Sequence, residues 1–269
     1  MRSVINVSNV SVKLGDKLVI KNMSMDISGN SFVSIVGSNG SGKSTFIKTL
    51  AGLVKYNGYI NINGYVLDDE NISSIRQGMA VVLDDVHTQF MGETVFDDLI
   101  FNMENLRYSK SEIEKRVEYI SELFRLKDIL NTEVKYITNS DRQRLAIAAS
   151  LTTNPSILLL DDCLHQLSVQ DKKEVLDILK KYRKENKVTI IMTTHNMDDV
   201  MYTDRVIVFH DGVIVQDGSV ISTFKNRDLM NRNGLKVPFV ILLSLKLMDK
   251  GVTDHIYLDI GKLVRELWK

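Results

Sequence analysis

The nonapeptide Gly37-Ser38-Asn39-Gly40-Ser41-Gly42-Lys43-Ser44-Thr45 satisfies the spacing G-x-x-x-x-G-K-[ST]. Its three glycines let the backbone close around an anion, so that several N–H groups and a helix N-terminus converge on one phosphate chain. Lys43 adds a point charge for the β- and γ-phosphates, and the Ser44 hydroxyl is a ligand for Mg²⁺. A plain Gly/Ser-rich turn would use the same residue types, so the flanks decide. An apolar, β-branched run (Phe32, Val33, Ile35, Val36) reads as a buried strand entering the loop. Phe46, Ile47 and Leu50 read as a helix leaving it and stopping at Gly52. Strand, loop and helix in that order predict a nucleoside triphosphate site.

Two further stretches offer polar groups at the carboxyl ends of apolar strands, where ligands gather in open parallel sheets. Ile157 to Leu160 is apolar throughout and delivers Asp161-Asp162, and Val188 to Thr193 delivers Thr194-His195. Asp161 suits a carboxylate that holds Mg²⁺ through its water shell. Asp162 is placed to polarise an attacking water, and His195 to steady the γ-phosphate. Adjacent aspartates are also common in solvated turns, and a lone histidine in a cap; a phosphate loop upstream favours the chemical reading.

The elements that must position these groups follow from pattern. The first thirty residues alternate as short strands (Val4 to Val10, Leu18 to Ile20, Met23 to Ile27), an antiparallel start broken by Gly15-Asp16 and Ser28-Gly29-Asn30. Gly58 to Leu67 alternates around an Asn63-Gly64 hairpin turn, and Met79 to Leu83 is a strand ending in Asp84-Asp85. From about 88 to 154 the period turns helical. Thr94-x-x-Asp97 and Ser109-x-x-Glu112 are capping signals, and Ile113, Val117, Ile120 and Phe124 form an apolar stripe. Helices are expected over Arg142 to Leu151 and about Gln170 to Glu185. Arg205 to Phe209 and Val213 to Gln216 flank a hairpin signal at Asp211-Gly212. The expected fold class is α/β, a parallel-sheet core with an N-terminal antiparallel part and an inserted helical subdomain. A small helical extension follows from 225 to 269.

Composition narrows the function. The 269 residues carry 34 acidic and 34 basic side chains, so no net charge draws the chain to nucleic acid. The single Cys163 suits a reducing compartment and forms no intrachain disulfide. The first residues lack the apolar core of a secretory signal. Val237 to Met248 is too short to span a bilayer and holds Lys246, so no direct membrane insertion is expected.

Over residues 1 to 224 the order of these elements resembles an ATP-binding cassette (ABC) ATPase, a P-loop NTPase in which the loop at 37–45 is the Walker A motif and Asp161 ends the Walker B strand. More narrowly, the chain is similar to the ATPase subunit of energy-coupling factor (ECF) transporters. Gln89-Phe90-Met91-Gly92-Glu93-Thr94-Val95-Phe96-Asp97-Asp98, Glu104-Asn105-Leu106, Arg142-Gln143-Arg144-Leu145-Ala146-Ile147-Ala148 and the tail Gly234-Leu235-Lys236-Val237-Pro238-Phe239 carry that likeness. The resemblance implies ATP and Mg²⁺ as ligands and a second cassette as partner, expected as a heterodimer. It also implies an integral membrane subunit whose coupling helices enter a groove near Gln89 to Asn105. The chain is then expected at the cytoplasmic face of the membrane, driving uptake of a vitamin or metal ion. The extension would help hold the ATPase pair, though a flap covering the core fits it too.

Five positions depart from the family pattern. Leu14 stands where an aromatic residue stacks on adenine. Asp84 replaces the glutamine that links Mg²⁺ to the membrane-subunit interface, and is expected beside Ser44 and Asp161 as a metal ligand. Ile137-Thr138-Asn139-Ser140-Asp141 replaces the LSGGQ signature, leaving Thr138, Asn139 and Ser140 to meet the partner's nucleotide while Asp141 brings a like charge towards its γ-phosphate. At 5 Å and an effective dielectric of 20, such a pair repels by about 3 kcal/mol. Asp162 is one methylene shorter than the usual catalytic glutamate, a displacement of about 1 Å that costs on the order of 10²-fold in rate. Ser168 replaces an aspartate after Leu167. Binding groups are kept and groups for chemistry are altered. Slow hydrolysis that depends on a more regular partner is therefore expected, the alternative being a regulatory or structural nucleotide-binding subunit.

Overall fold

The computed structural model describes residues 3–85 and 89–268, and the side chain of residue 227 is outside that description. Two long strands open the chain, β1 (Ser3–Leu14) and β2 (Lys17–Ser28), joined at Gly15-Asp16. The sequence divided this region into three short strands. Gly15-Asp16 is the turn, whereas the gap expected at Lys21-Asn22 is a bulge, and a second bulge lies at Asn9 within β1. Asn9 and Asn22 adopt left-handed backbone (φ 53° and 49°), and each amide donates to a serine on the opposite strand, Asn9 to Ser24 and Asn22 to Ser11, both at 2.9 Å. Asparagine tolerates that conformation, so the ladder slips a residue and continues.

The strands β3 (Phe32–Val36), β4 (Asn57–Ile62), β5 (Tyr65–Val66), β6 (Met79–Val82), β7 (Ile157–Asp161), β8 (Thr189–Thr193), β9 (Arg205–His210) and β10 (Val213–Gly218) complete two sheets. One is antiparallel, in the order β2-β1-β4-β5; the other runs β10-β9-β3-β8-β7-β6. Within the second, β9, β3, β8, β7 and β6 are parallel and β10 is an antiparallel edge. At the β9–β10 turn Asp211 and Gly212 both have positive φ, as the two-residue hairpin signal requires.

The apolar parallel strands are buried on both faces, and their side chains alternate between two cores. Leu158 and Leu160 of β7 join Phe32, Ile190 and Leu145, whereas Ile157 and Leu159 join Val33, Ile35, Phe46 and the inner face of β1. That explains why these strands read as continuous apolar runs.

The helices are α1 (Lys43–Leu50), α2 (Ile72–Gln77), α3 (Val95–Asn105), α4 (Lys110–Leu123), α5 (Asn139–Leu151), α6 (Val169–Asn186), α7 (Val220–Lys225), α8 (Arg227–Arg232), α9 (Phe239–Asp249) and α10 (Ile260–Leu267). Both capping signals form as reciprocal boxes, Thr94 with Asp97 and Ser109 with Glu112. The helix expected from Arg142 begins earlier, because Thr138 caps it by accepting the Asp141 amide. Thr138-x-x-Asp141 is the same signal as at 94–97. The six-residue α2 has no counterpart in the sequence reading. Among the described residues, no helix is long and apolar enough to cross a membrane. The helix α7 runs across positions 224 and 225, and beyond it Met230, Leu235 and Ile241 share a third core with Val36, Val206 and Val208.

Candidate functional site

Three strand ends, β3, β7 and β8, sit side by side in the sheet, and the candidate groups project from them. After β3, Gly37 has φ 155°, and a Cβ there would lie 2.2 Å from the Phe209 carbonyl oxygen; only glycine lets the loop pass so close to β9. Gly42 (φ 104°) is the N-cap of α1 and no side chain bonds across it, so the helix starts with its amides uncapped. The Lys43 ammonium folds back over the loop, donating to the carbonyls of Gly37 (2.9 Å) and Ser38 (3.1 Å). Burial pushes its pKa down, opposed by the charges of Asp162 and Asp161. The Ser41 Oγ is buried without a hydrogen-bond partner. An unpaired buried hydroxyl, uncapped amides and a buried ammonium form a donor set that fits a phosphate chain.

Asp161 ends β7 almost fully buried. Thr193, its neighbour in register on β8, donates its hydroxyl to Asp161 Oδ1 at 2.7 Å. Burial raises the Asp161 pKa, and hydrogen bonds from Thr193 and Ser44 oppose the rise. The fold thus brings together Ser44 and Asp161, an oxygen donor pair of the kind Mg²⁺ prefers. Asp162 turns away in left-handed backbone (φ 45°), its amide donating to Thr193 Oγ1 at 2.9 Å. Its carboxylate faces His195, whose Nδ1 lies 3.0 and 3.1 Å from the two oxygens. Thr193 organises both aspartates and was not singled out from the sequence. Its signal is positional, a hydroxyl at the end of the strand beside the Asp161 strand.

Asp84 follows β6. Its Oδ1 lies 3.3 Å from Nδ1 of His165, another residue the sequence reading passed over, while the His165 ring nitrogen sits 2.7 Å from the Asp162 carbonyl oxygen. The Gln89 side chain accepts from the Leu83 amide and donates to the carbonyls of Leu83 and Asp85. Leu14, at the end of β1, is half exposed.

Thr138, Asn139 and Ser140 lie at the start of α5, and their side chains bond to residues of α5 and α6. The Thr138 hydroxyl donates to Asp141 Oδ2 at 2.7 Å, and the Asn139 side chain accepts from Arg142. Ser140 donates to Asp171 on α6 at 2.9 Å. Asp171 also accepts from Ser168 and pairs with the buried Arg144, so one carboxylate ties the start of α5 to the loop after β7. The serine and arginine bonds hold its pKa low.

Beside the site, an open groove of about 760 Å³ runs between α2, β6 and α3, lined by Arg76, Gln89, Met91, Phe101 and Leu106. Met91 and Phe101 present exposed apolar surface there.

The model of the ABC transporter family matches residues 20–165. Across 100% of the chain and 97% of the relative, the sequence is 33% identical to the energy-coupling factor transporter ATP-binding protein EcfA of Pediococcus pentosaceus. This chain belongs to the ATP-binding proteins of ECF transporters, within the ABC family. It is also 34% identical to EcfA1 of Oceanobacillus iheyensis, over 99% of this chain and 97% of that one. Among solved structures, cbiO1 of Clostridium perfringens, part of the ABC transporter complex cbiONQ, superposes with a TM-score of 0.78. It covers 86% of this chain and 94% of its own at 24% identity, and supports the fold. The ATP-binding cassette MJ0796, solved as a dimer in a post-hydrolysis state with ADP and Pi, superposes with a TM-score of 0.72 at 25% identity. That match covers 80% of this ABC ATPase and 98% of the other.

Proposed function

We propose that this ABC ATPase is the motor cassette of a membrane importer for a vitamin or metal ion, held at the cytoplasmic face by a membrane subunit and paired with a second, different cassette. The donor set at residues 37–45, with its unpaired Ser41 hydroxyl, carries the reading. The loop amides and Lys43 bind the phosphates of ATP. Ser44 and Asp161 would hold Mg²⁺, which supplies neutralisation of charge along the phosphate chain. Asp162, aligned by His195, is the group placed to take a proton from the attacking water. The site would be half of a pair: Thr138, Asn139 and Ser140, at the start of α5, would meet a nucleotide held by the partner.

The groove lined by Met91 and Phe101 is the docking place for a coupling helix of the membrane subunit. The helix α10 and the exposed Trp268 beyond it suit a contact with the second cassette. Closure on ATP and reopening after hydrolysis would then move the membrane subunit. The second reading, a weakly hydrolysing regulatory subunit, draws support from the short carboxylate at Asp162.

The test is titration of the purified chain with a fluorescent ATP analogue and Mg²⁺. Saturable binding is expected in the wild type, and at least tenfold weaker binding in Lys43→Ala. Absence of saturable binding, even beside a second cassette, would overturn the proposal.

A further inference from the structure

Asp84, Asp162 and His165 come from two separate stretches of sequence, yet each offers a ligand atom and these atoms all lie within 4.8 Å of one another. Asp84 and Asp162 are two of the positions where a neutral or longer side chain was expected from the family resemblance. We infer that together with His165 they form, beside the Ser44–Asp161 pair, a binding site for a divalent transition-metal ion that the chain can fill before nucleotide is bound.

The spacing suits an ion. Ligands bonded at about 2.1 Å sit about 3.0 to 3.4 Å apart when adjacent in octahedral or tetrahedral geometry. His165 Nδ1 and Asp84 Oδ1 are 3.3 Å apart. His195 Nδ1 stands 3.0 Å from Asp162 Oδ2, so a second imidazole is within reach as a fourth ligand. The His165 ring nitrogen donates its proton to the Asp162 carbonyl oxygen at 2.7 Å; an ion bonding there would displace that proton.

Charge and access favour occupancy. Asp84, Asp161 and Asp162 cluster at the strand ends, faced by Lys43, which feels the charges of the last two, and by Lys48, which acts on Asp161. Both imidazoles line an open cavity of about 500 Å³ between the loop after β8 and the Gly234–Phe239 segment, which leaves a solvent path to the metal ligands. One or two imidazole nitrogens with two carboxylates are a borderline donor set. They select Mn²⁺, Co²⁺ or Zn²⁺ over Mg²⁺, which prefers oxygen alone.

The probe is Co²⁺, added to the untagged, nucleotide-free chain and followed by its visible ligand-field absorption. One equivalent is expected to bind, with a spectrum that reports nitrogen ligation and that a tenfold excess of Mg²⁺ leaves in place. His165→Ala and Asp84→Asn are each expected to weaken binding at least tenfold. His210→Ala and His255→Ala should match the wild type. Thermal melts without metal check that each variant is folded, and two independent ligand variants guard against loss of one to misfolding. No Co²⁺ absorption, full displacement by Mg²⁺, or wild-type affinity in both His165→Ala and Asp84→Asn would overturn the inference. ATP-analogue binding measured on the same samples keeps this outcome apart from failure of the motor reading, since the titration needs neither nucleotide nor partner.

Discussion

Asp171 offers a quantitative check on the packing that surrounds the altered signature loop. It accepts hydrogen bonds from Ser140 (2.9 Å) and Ser168 (2.8 Å) and pairs with Arg144, whose side chain is 8% exposed. The Arg144 Nε has no partner, and its remaining carboxylate, Glu174, lies 3.4 Å away and is shared with Arg125. Asp171→Ala therefore strands a buried guanidinium. Removing one partner of a buried pair costs about 3–5 kcal/mol, and because the Asp171 side chain is 27% exposed and Glu174 stays near, about 2–3 kcal/mol is expected. With an unfolding entropy of about 0.6 kcal/mol/K for 269 residues, the melting midpoint should fall by about 3–5 °C at pH 7. Asp171→Asn, which keeps an acceptor and loses the charge, should lose about half as much.

The pH dependence has a defined sign. The folded protein holds the Asp171 pKa below its unfolded value, through Ser168 and Ser140 first and Arg144 after them. Its stabilisation is therefore present above about pH 4 and disappears as pH falls through the lowered value. The gap between wild type and variant should be widest near neutrality and close in acid. Differential scanning fluorimetry from about pH 2 to 7.5 measures it. A midpoint unchanged within 1 °C at pH 7, or a gap that widens in acid, would refute the reasoning.

Three further outcomes follow from the site. Asp162→Glu, assayed by phosphate release beside a regular second cassette, should raise turnover by about 10²-fold if only the missing methylene limits the rate, and unchanged turnover would favour the regulatory reading. Phe101→Asp, which puts a charge into the exposed apolar groove, should abolish co-purification with the membrane subunit while leaving ATP-analogue affinity within twofold; retained co-purification would move the docking site elsewhere. Gly37→Ala should fail to bind nucleotide, because its Cβ would sit 2.2 Å from the Phe209 carbonyl, and isothermal titration of the folded variant checks this.

What the sequence determined by itself was local. The phosphate loop, the capping boxes at Thr94 and Ser109, and the turn at Asp211-Gly212 depend on a few consecutive residues, because φ preference and short-range hydrogen bonding act over one turn of chain. Even there the gap at Lys21-Asn22 was read as a strand end, since a bulge and a strand end share residue types until the partner strand is known. The tertiary structure alone decided which distant groups meet. Sheet order β8-β7-β6 carries Thr193 to Asp161 and Asp162, sets His195 against the Asp162 carboxylate, and brings Asp84 beside His165. The same holds for Asp171 on α6, whose partners lie on α5 and in the loop before α6. Strand order and helix packing are settled by burial summed over the whole core, and no short window of sequence contains that sum.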